Sequence, residues 1–237
     1  MASRAPDHST TLRKFTEIQK LAEKHHGKAG LKKRLAEYDG DKPPKLSTQK
    51  DDRWLAAMAK AVFSAGFSWD VIEKKWPGFE AAFEKFDPHR VAFYADRDVA
   101  RLLKDERIVR NGAKIQATIS NAQFVVDTAK EHGSFGKFLK GWAASDQIGL
   151  MEHFKKHASH MGPSATMYFL RFNGWDSFIL SPDVTKALTR EKVVSKAPTS
   201  KADLKAVQAA FNTWTEQSGL AQRDVSKILS FSVGPAA

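Results

Sequence analysis

The sequence predicts an all-α protein, and three kinds of observation support this fold class. Apolar residues recur every three or four positions over most of the chain, for example over residues 51–65, which is the spacing of a buried helix face. Helix-starting residues separate these segments, as where Asp87 precedes Pro88. The nearest approach to a strand is 178–181, and nowhere do apolar and polar residues alternate long enough to require a sheet.

The first 50 residues predict a helical arm that is attached through a linker. An apolar stripe predicts a helix over residues 12–25, and a second, shorter helix is predicted over residues 31–38. The segment 39–50 contains DGDKPPK, whose glycine and prolines are typical of a linker. We therefore expect an N-terminal arm with its linker over residues 1–50 and a helical domain over residues 51–237.

Beyond the linker, nearly every segment has the periodicity of a helix. The predicted helices cover residues 51–65, 69–76, 86–94, 96–103, 113–130, 134–142, 146–159, 164–173, 182–190, 201–217 and 221–231. The second of these is expected to end before Pro77, because proline lacks the amide that a helix interior needs.

The composition favours a protein that binds a polyanion. The 237 residues include 38 Lys and Arg against 27 Asp and Glu, a formal net charge of +11, and clustered cations gain affinity for phosphates by releasing counterions. The chain contains no Cys, which excludes disulfides, thiol nucleophiles and thiolate zinc sites. Because no apolar run reaches membrane-helix length and the N-terminus lacks a secretory core, a cytoplasmic protein is expected.

Sequence patterns for several other chemistries do not occur in the chain. There is no Walker loop, no GxGxxG after a strand, no GxSxG and no HRD-type kinase set. Redox, kinase and serine-hydrolase functions therefore have no residues to support them.

A glycine turn between two predicted helices is a candidate phosphate site. The turn spans residues 160–165 and reads HMGPSA. Gly162 would allow a close approach, and amides at the start of the next helix, near Ser164, are donors at a positive dipole end. An ordinary helix–helix loop with a glycine cap has the same spacing, so both interpretations stay open from the residues alone.

The role of Asp183 and the role of three histidines in the same half of the chain can each be interpreted in two ways. Asp183 follows a first-turn proline, so it either favours the helix dipole or lies beside a pocket. His153, His157 and His160 fall on one predicted helix face and could bind a metal. The adjacent lysines and the lack of an HExxH-type base favour a solvated or phosphate-facing surface.

Two turns in the first half of the domain could contact a ligand. The segment 63–69, FSAGFSW, places aromatic residues on both sides of a tight turn, where they either stack on a flat ligand or belong to the core. Around Asn111, the cations Arg107, Arg110 and Lys114 lie near a predicted helix start. They form either a phosphate site or a charged turn.

Three segments together resemble a known family of repair enzymes. AGFSWDVIEKKWPGFEAAFEKFDPHRVA and DVARLLKDERIVRNGAKIQATISNA resemble the DNA-3-methyladenine glycosylase I family. HMGPSATMYFLRFNGWDSFILSPDV is similar to the hairpin and following helix of the broader helix-hairpin-helix DNA glycosylases. The resemblance covers roughly residues 55–190, and it implies a helix-hairpin-helix bundle with an extra N-terminal arm.

The resemblance also implies a function and roles for residues. The protein is expected to be a monofunctional DNA glycosylase that hydrolyses the N-glycosidic bond of a damaged base, with an alkylated purine as the expected base. Asp183 matches the catalytic carboxylate of the superfamily. The expected base pocket consists of Phe63, Ser64, Phe67 and Trp69. The expected DNA contacts are Arg110, Lys114, His160, Gly162 and Ser164.

Departures from the family pattern keep the substrate open. The family closes its ends with a zinc held by Cys and His, which a chain without Cys cannot copy, so no zinc is expected. By resemblance, a monovalent cation could bind the hairpin. Ala61 stands where the family has a base-reading Glu, so removal of a deaminated base, or a non-catalytic DNA-binding role, are the alternatives. The expected partner is double-stranded DNA with damaged bases, bound by a monomer at the bacterial nucleoid.

Overall fold

The computed structural model describes residues 12–37, 45–66 and 68–234, and within these ranges it contains helices and no strand. The all-α prediction is therefore confirmed. The helices are α1 (Phe15–His26), α2 (Lys28–Glu37), α3 (Asp51–Ser64), α4 (Trp69–Ala82), α5 (Pro88–Val91), α6 (Asp96–Lys104), α7 (Gly112–His132), α8 (Phe135–Gly141), α9 (Gln147–His157), α10 (Pro163–Phe172), α11 (Pro182–Arg190), α12 (Lys201–Ser218) and α13 (Gln222–Phe231). Among the described helices, none combines the length and apolar character that crossing a membrane requires.

The chain forms two compact units. One unit contains residues 1–40 together with 180–237, and the other contains residues 41–179. The domain boundary near residue 50 stays a prediction. The two prolines of the expected linker lie outside the described residues.

In the first unit, α1 is tied to helices near the C-terminus. Phe15 donates its backbone N–H to Gln217 Oε1 at 2.9 Å, and Trp214 Nε1 donates to the Arg13 carbonyl at 3.0 Å. The buried Glu191 carboxylate lies 2.7 Å from Arg13 Nε. These contacts join segments about 200 positions apart, which periodicity along the sequence does not reveal.

In the second unit, the long helix α7 packs against α3 and forms the centre of the core. Trp54 and Met58 of α3 and Ile115 and Val125 of α7 are completely buried. Helices α5, α6 and α8 also contact α7, so the segments that enter and leave this helix are positioned by one shared core.

Helix α4 continues through Pro77, so the expectation that it ends before this residue is wrong. A proline removes one backbone hydrogen bond, but packing on both sides of it retains the helix. The ring of Phe79 is fully buried, with its centroid 4.6 Å from Phe63 and 5.6 Å from Trp76. Burial of such an aromatic side chain is worth more than one lost hydrogen bond.

One glycine lets α4 lie against the segment that leads into α7. A Cβ atom at Gly78 would come within 2.6 Å of both the Arg107 Cβ atom and the Arg107 carbonyl oxygen. Because the carbonyl belongs to the backbone, it cannot turn aside as a flexible side chain could. Gly78 therefore fixes the position of the cationic segment around Arg107 and Arg110.

We expect Gly78→Ala to lower the free energy of unfolding by about 1–3 kcal/mol, because the added methyl group overpacks this contact. The control is Gly30→Ala in α2, where a Cβ atom would lie 3.9 Å from the His26 Cβ atom. Alanine there should raise the free energy of unfolding by up to about 1 kcal/mol through helix propensity. Urea denaturation measures the free energy of unfolding of both variants. If Gly78→Ala stabilised the protein as much as Gly30→Ala does, the close approach at Gly78 would be contradicted.

Candidate functional site

The predicted hairpin is present as α9, a loop over residues 158–162, and α10. His160 adopts a left-handed backbone conformation, with φ of 59°. Gly162 has φ of −66° and ψ of 173° and is the N-cap residue of α10. The sequence suggested a tight turn at Gly162, but the turn lies at His160. Ser164 is in the first turn of α10.

A buried side-chain amide holds the loop of this hairpin against α7. Asn121 has no exposed surface, and its Oδ1 atom accepts the Ser159 backbone N–H at 2.7 Å. Its Nδ2 atom donates to the Ser159 carbonyl at 3.0 Å. This pair of hydrogen bonds satisfies both backbone groups of one loop residue, so the loop has a fixed position relative to α7.

A second buried amide holds the segment that follows α10. Gln147 has no exposed surface. Its Nε2 atom donates to the Phe178 carbonyl at 2.9 Å, and its Oε1 atom accepts the Phe178 N–H at 2.8 Å. Helix α10 therefore lies between two loops that are each fixed by one buried side chain.

The aromatic turn has one buried ring and one exposed ring. Phe63 is fully buried against Phe79, so its ring belongs to the core, which is the second of the two interpretations that the sequence allows for this turn. Trp69 is 45% exposed, and its ring packs edge-on against Phe172 with centroids 5.7 Å apart. Phe67 lies outside the described residues.

Ser64, at the end of α3, is the most unusual polar group of this turn. The residue is 8% exposed, and its hydroxyl oxygen is buried and has no hydrogen-bond partner among the described residues. A buried hydroxyl normally has a partner, so Ser64 is an exception at the end of α3.

The two candidate DNA-contacting cations of the α7 entry have different surroundings. Lys114 donates from Nζ to the carbonyl oxygens of Phe63 at 3.1 Å and Ala65 at 2.5 Å, and burial lowers its pKa. Lys114 therefore joins the end of α3 to α7. The sequence did not indicate this structural role. Arg110 has a 53% exposed side chain, 3.6 Å from Glu106, and is accessible to an anion.

Asp183 lies in the first turn of α11, as predicted, in the unit that contains residues 180–237. Ser181 is the N-cap residue, and its hydroxyl accepts the Val184 N–H at 3.2 Å. The Asp183 side chain is 55% exposed and lies 3.3 Å from Lys186 Nζ.

The three histidines do not share one helix face, because α9 ends at His157. The rings of His153 and His157 stack with centroids 4.5 Å apart, whereas His160 lies in the loop and contacts Ser159 Oγ at 3.1 Å. The described residues contain no cluster of three His, Asp or Glu side chains suited to a metal. The donor set for the family's zinc is therefore not assembled here, and the zinc content stays a prediction.

Three residues that position this region were missed by sequence reasoning: Asn121, Gln147 and Phe172. Asn121 interrupts an otherwise apolar helix face, which is a signal that a sequence reading could have used. The exposed ring of Phe172 at the end of α10 has no such signal, because an apolar residue in an apolar helix is expected in the core.

The chain is similar in sequence to known DNA glycosylases. A sequence model of the methyladenine glycosylase family matches residues 41–168, more than half of the chain. DNA-3-methyladenine glycosylase 1 of Escherichia coli is 39% identical over 75 residues, which is 32% of this chain and 40% of that relative. The aligned region thus spans 40% of the length of that relative.

Two solved structures share the fold. 3-Methyladenine DNA glycosylase I from Staphylococcus aureus superposes with a TM-score of 0.50 at 24% identity, covering 65% of this chain and 90% of that one. The 8-oxoguanine DNA glycosylase of Methanocaldococcus jannaschii superposes with a TM-score of 0.52 at 12% identity, covering 90% of each chain. The chain therefore has the helix-hairpin-helix fold of helical DNA glycosylases.

We expect Asn121→Ala to lower the free energy of unfolding by about 2 kcal/mol or more, because both backbone groups of Ser159 lose their partner. Amide hydrogen exchange over residues 158–162 should accelerate as the hairpin is released. The matched control is Ser120→Ala, which removes an exposed hydroxyl bonded to the Gln116 carbonyl of its own helix and should change stability by less than about 0.5 kcal/mol. Equal exchange in both variants would contradict the role of Asn121.

Proposed function

Because the chain belongs to the methyladenine glycosylase family, we propose that it is a DNA glycosylase that removes a damaged base, with an N-alkylated purine as the base. It would hydrolyse the N-glycosidic bond and leave an abasic site in double-stranded DNA. It would act as a monomer on the bacterial chromosome. Support comes from the 39% identity to the Escherichia coli relative and from an exposed aromatic turn beside a helical hairpin.

The exposed Trp69 ring is the observation that carries this proposal. Trp69 and Phe172 are exposed by 45% and 58% and are in contact, so they form one aromatic patch, and exposed apolar patches mark interaction sites more often than single exposed rings do. The edge-on contact with Phe172 orients the indole ring and leaves part of it free. A base that has left the DNA stack could lie on such a ring, and base–aromatic stacking is worth about 1–3 kcal/mol.

The hairpin supports the proposed contact with the DNA backbone. A Cβ atom at Gly162 would meet no atom within 4 Å, so this position is open to an approaching phosphate. Amides in the first turn of α10 are donors at the positive end of the helix dipole. With a net charge of +11, binding through such contacts would not depend on sequence and would weaken with salt.

The proposed reaction requires little from the protein beyond orientation and charge. Water attacks the C1′ atom of the sugar, the bond from C1′ to the base nitrogen breaks, and its electron pair leaves with the base, while the proton that the water loses passes to solvent. Positive charge develops on the sugar, and the Asp183 carboxylate would stabilise it and orient the water. The proposal for Asp183 rests on its sequence match and on its exposed position in the first turn of α11.

One observation favours a neutral, deaminated base as a second candidate substrate. The family has a base-reading Glu where this chain has Ala61, and Ala61 is partly buried against the hydrophobic core. A carboxylate favours a cationic base, and Ala61 offers no such charge. Loss of the Glu therefore favours a neutral base.

We expect Trp69→Ala to slow base release from duplex DNA about 10- to 100-fold, through loss of the stacking surface. Single-turnover release is measured on duplexes that carry a methylated purine, a uracil, a hypoxanthine or an oxidised purine. The matched control is Phe93→Ala, which removes an 85% exposed ring from the segment between α5 and α6. Release from none of these duplexes by the wild-type protein would contradict the proposed activity and favour a DNA-binding relative without catalysis.

We expect Asp183→Asn to lower base release by a factor on the order of 100 if the carboxylate stabilises the sugar cation. Folding should survive, because a first-turn acid contributes only about 0.3–1 kcal/mol to its helix. The decrease should be larger for a neutral base than for a cationic alkylpurine, which leaves more easily. Full activity of the variant on every substrate would leave Asp183 with a helix-start role alone.

A further inference from the structure

A groove of about 240 Å³ lies between α7, α8 and α9, away from the aromatic turn. Lys114 marks the end of α7 nearest that turn, and Asp127 lines the groove. These two positions are about 20 Å apart along the helix at roughly 1.5 Å per residue. Ser120, the lining residue nearest to Lys114, is about 9 Å from it along the helix, and no described residue of the aromatic turn lines the groove. The groove is therefore a separate feature from the proposed base site.

Aromatic rings form the walls of this groove. The Phe124 ring is close to parallel with His157, at an interplanar angle of 17° and a centroid distance of 6.1 Å. His153 lies 4.5 Å from His157 and 5.1 Å from Phe138, again between ring centroids. A flat molecule could lie against these rings.

Two carboxylates lie on one side of the groove. Asp127 and Glu131 line it from α7, and residues four positions apart occupy the same face of a helix. The Asp127 carboxylate already accepts a hydrogen bond from Gln123 Nε2 at 2.9 Å. The Glu131 side chain is 77% exposed, so it can move toward a ligand.

The described lining of the groove contains two carboxylates and no Lys or Arg, although the whole chain has a net charge of +11. Burial lowers the pKa of His153, and the neighbouring His157, His132 and Lys156 lower it further, against an opposing effect of Glu131. Two carboxylates without a lysine or arginine beside them favour a cationic ligand over the DNA backbone.

We propose that this groove is a binding site for a small planar organic cation, such as an amidinium group or an N-alkylated aromatic ring. Ring faces attract cations electrostatically, more strongly where water is excluded, and carboxylates pair with amidinium groups through parallel hydrogen bonds. The volume is below the roughly 300–1,000 Å³ of sites for larger ligands, which fits a molecule of one or two rings. The site does not depend on the proposed glycosylase activity.

Benzamidinium tests the proposal, and benzamide is its neutral counterpart of nearly equal shape. Isothermal titration calorimetry on the full chain should detect benzamidinium and give at least about tenfold weaker binding for benzamide. Proton NMR should show shifts of the His153 and His157 ring signals during the benzamidinium titration. Equal binding of the two compounds, or shifts confined to other residues, would overturn the proposal.

The double variant Asp127→Asn with Glu131→Gln removes both carboxylates at nearly constant shape. It should weaken benzamidinium binding about tenfold, as expected for two partly exposed ion pairs. The matched control is Glu17→Gln on α1, an exposed carboxylate in the other unit, which should bind as the wild type does. Unchanged binding by the double variant would contradict the assignment.

Base release by the same variants separates this proposal from the catalytic one. The double variant should retain wild-type base release, because neither carboxylate belongs to the proposed catalytic or DNA-contacting residues. Since the titration uses no DNA, absence of glycosylase activity would leave its result unaffected. Phe138→Leu offers a second test, because it removes one ring wall while keeping an apolar side chain, and it should also weaken benzamidinium binding.

Discussion

The two hydrogen bonds between Asn121 and the Ser159 backbone are the interaction on which the arrangement of this protein depends. They join the middle of the central helix α7 to the loop that precedes α10. A fully buried amide cannot exchange these partners for water, so loss of the pairing would leave several polar groups unsatisfied. The hairpin therefore has one defined position relative to the core. A loop that was held only by apolar contacts would not be fixed in this way.

The same helix also positions the aromatic turn. At the start of α7, Lys114 bonds to carbonyl oxygens at the end of α3, and the turn that follows α3 leads to the exposed Trp69 ring. Trp69 in turn packs against Phe172 at the end of α10. One rigid helix thus supports both the hairpin and the stacking surface, and precise positioning of this kind is what a site on a scaffold requires.

The helices could be predicted from the sequence because apolar periodicity is a local property. The bounds of α3, α7 and α11 differ from the predicted ones by at most two residues. The largest departure was at Pro77, where burial of neighbouring rings outweighed a local rule. Family membership was also accessible from the sequence, because the matching motifs are dense and occur in a fixed order.

The positions of individual side chains could not be predicted in the same way. Sequence reasoning cannot distinguish the buried ring of Phe63 from the exposed ring of Trp69, because both flank the same turn. Nor does it reveal that Lys114 bonds to carbonyl oxygens, or that Asn121 holds a loop 38 positions away. These outcomes depend on contacts between distant segments, which local patterns do not encode.

Hydrogen exchange during DNA binding tests most directly whether the hairpin and the aromatic turn form one DNA-contacting face. The protein is compared alone and with a duplex that carries a stable abasic-site analogue. If they do, exchange slows over residues 158–166 and 65–72 together and does not change at the groove residues of α8 and α9. Protection in neither of these two segments, with slower exchange in α12 and α13 instead, would contradict such a shared face.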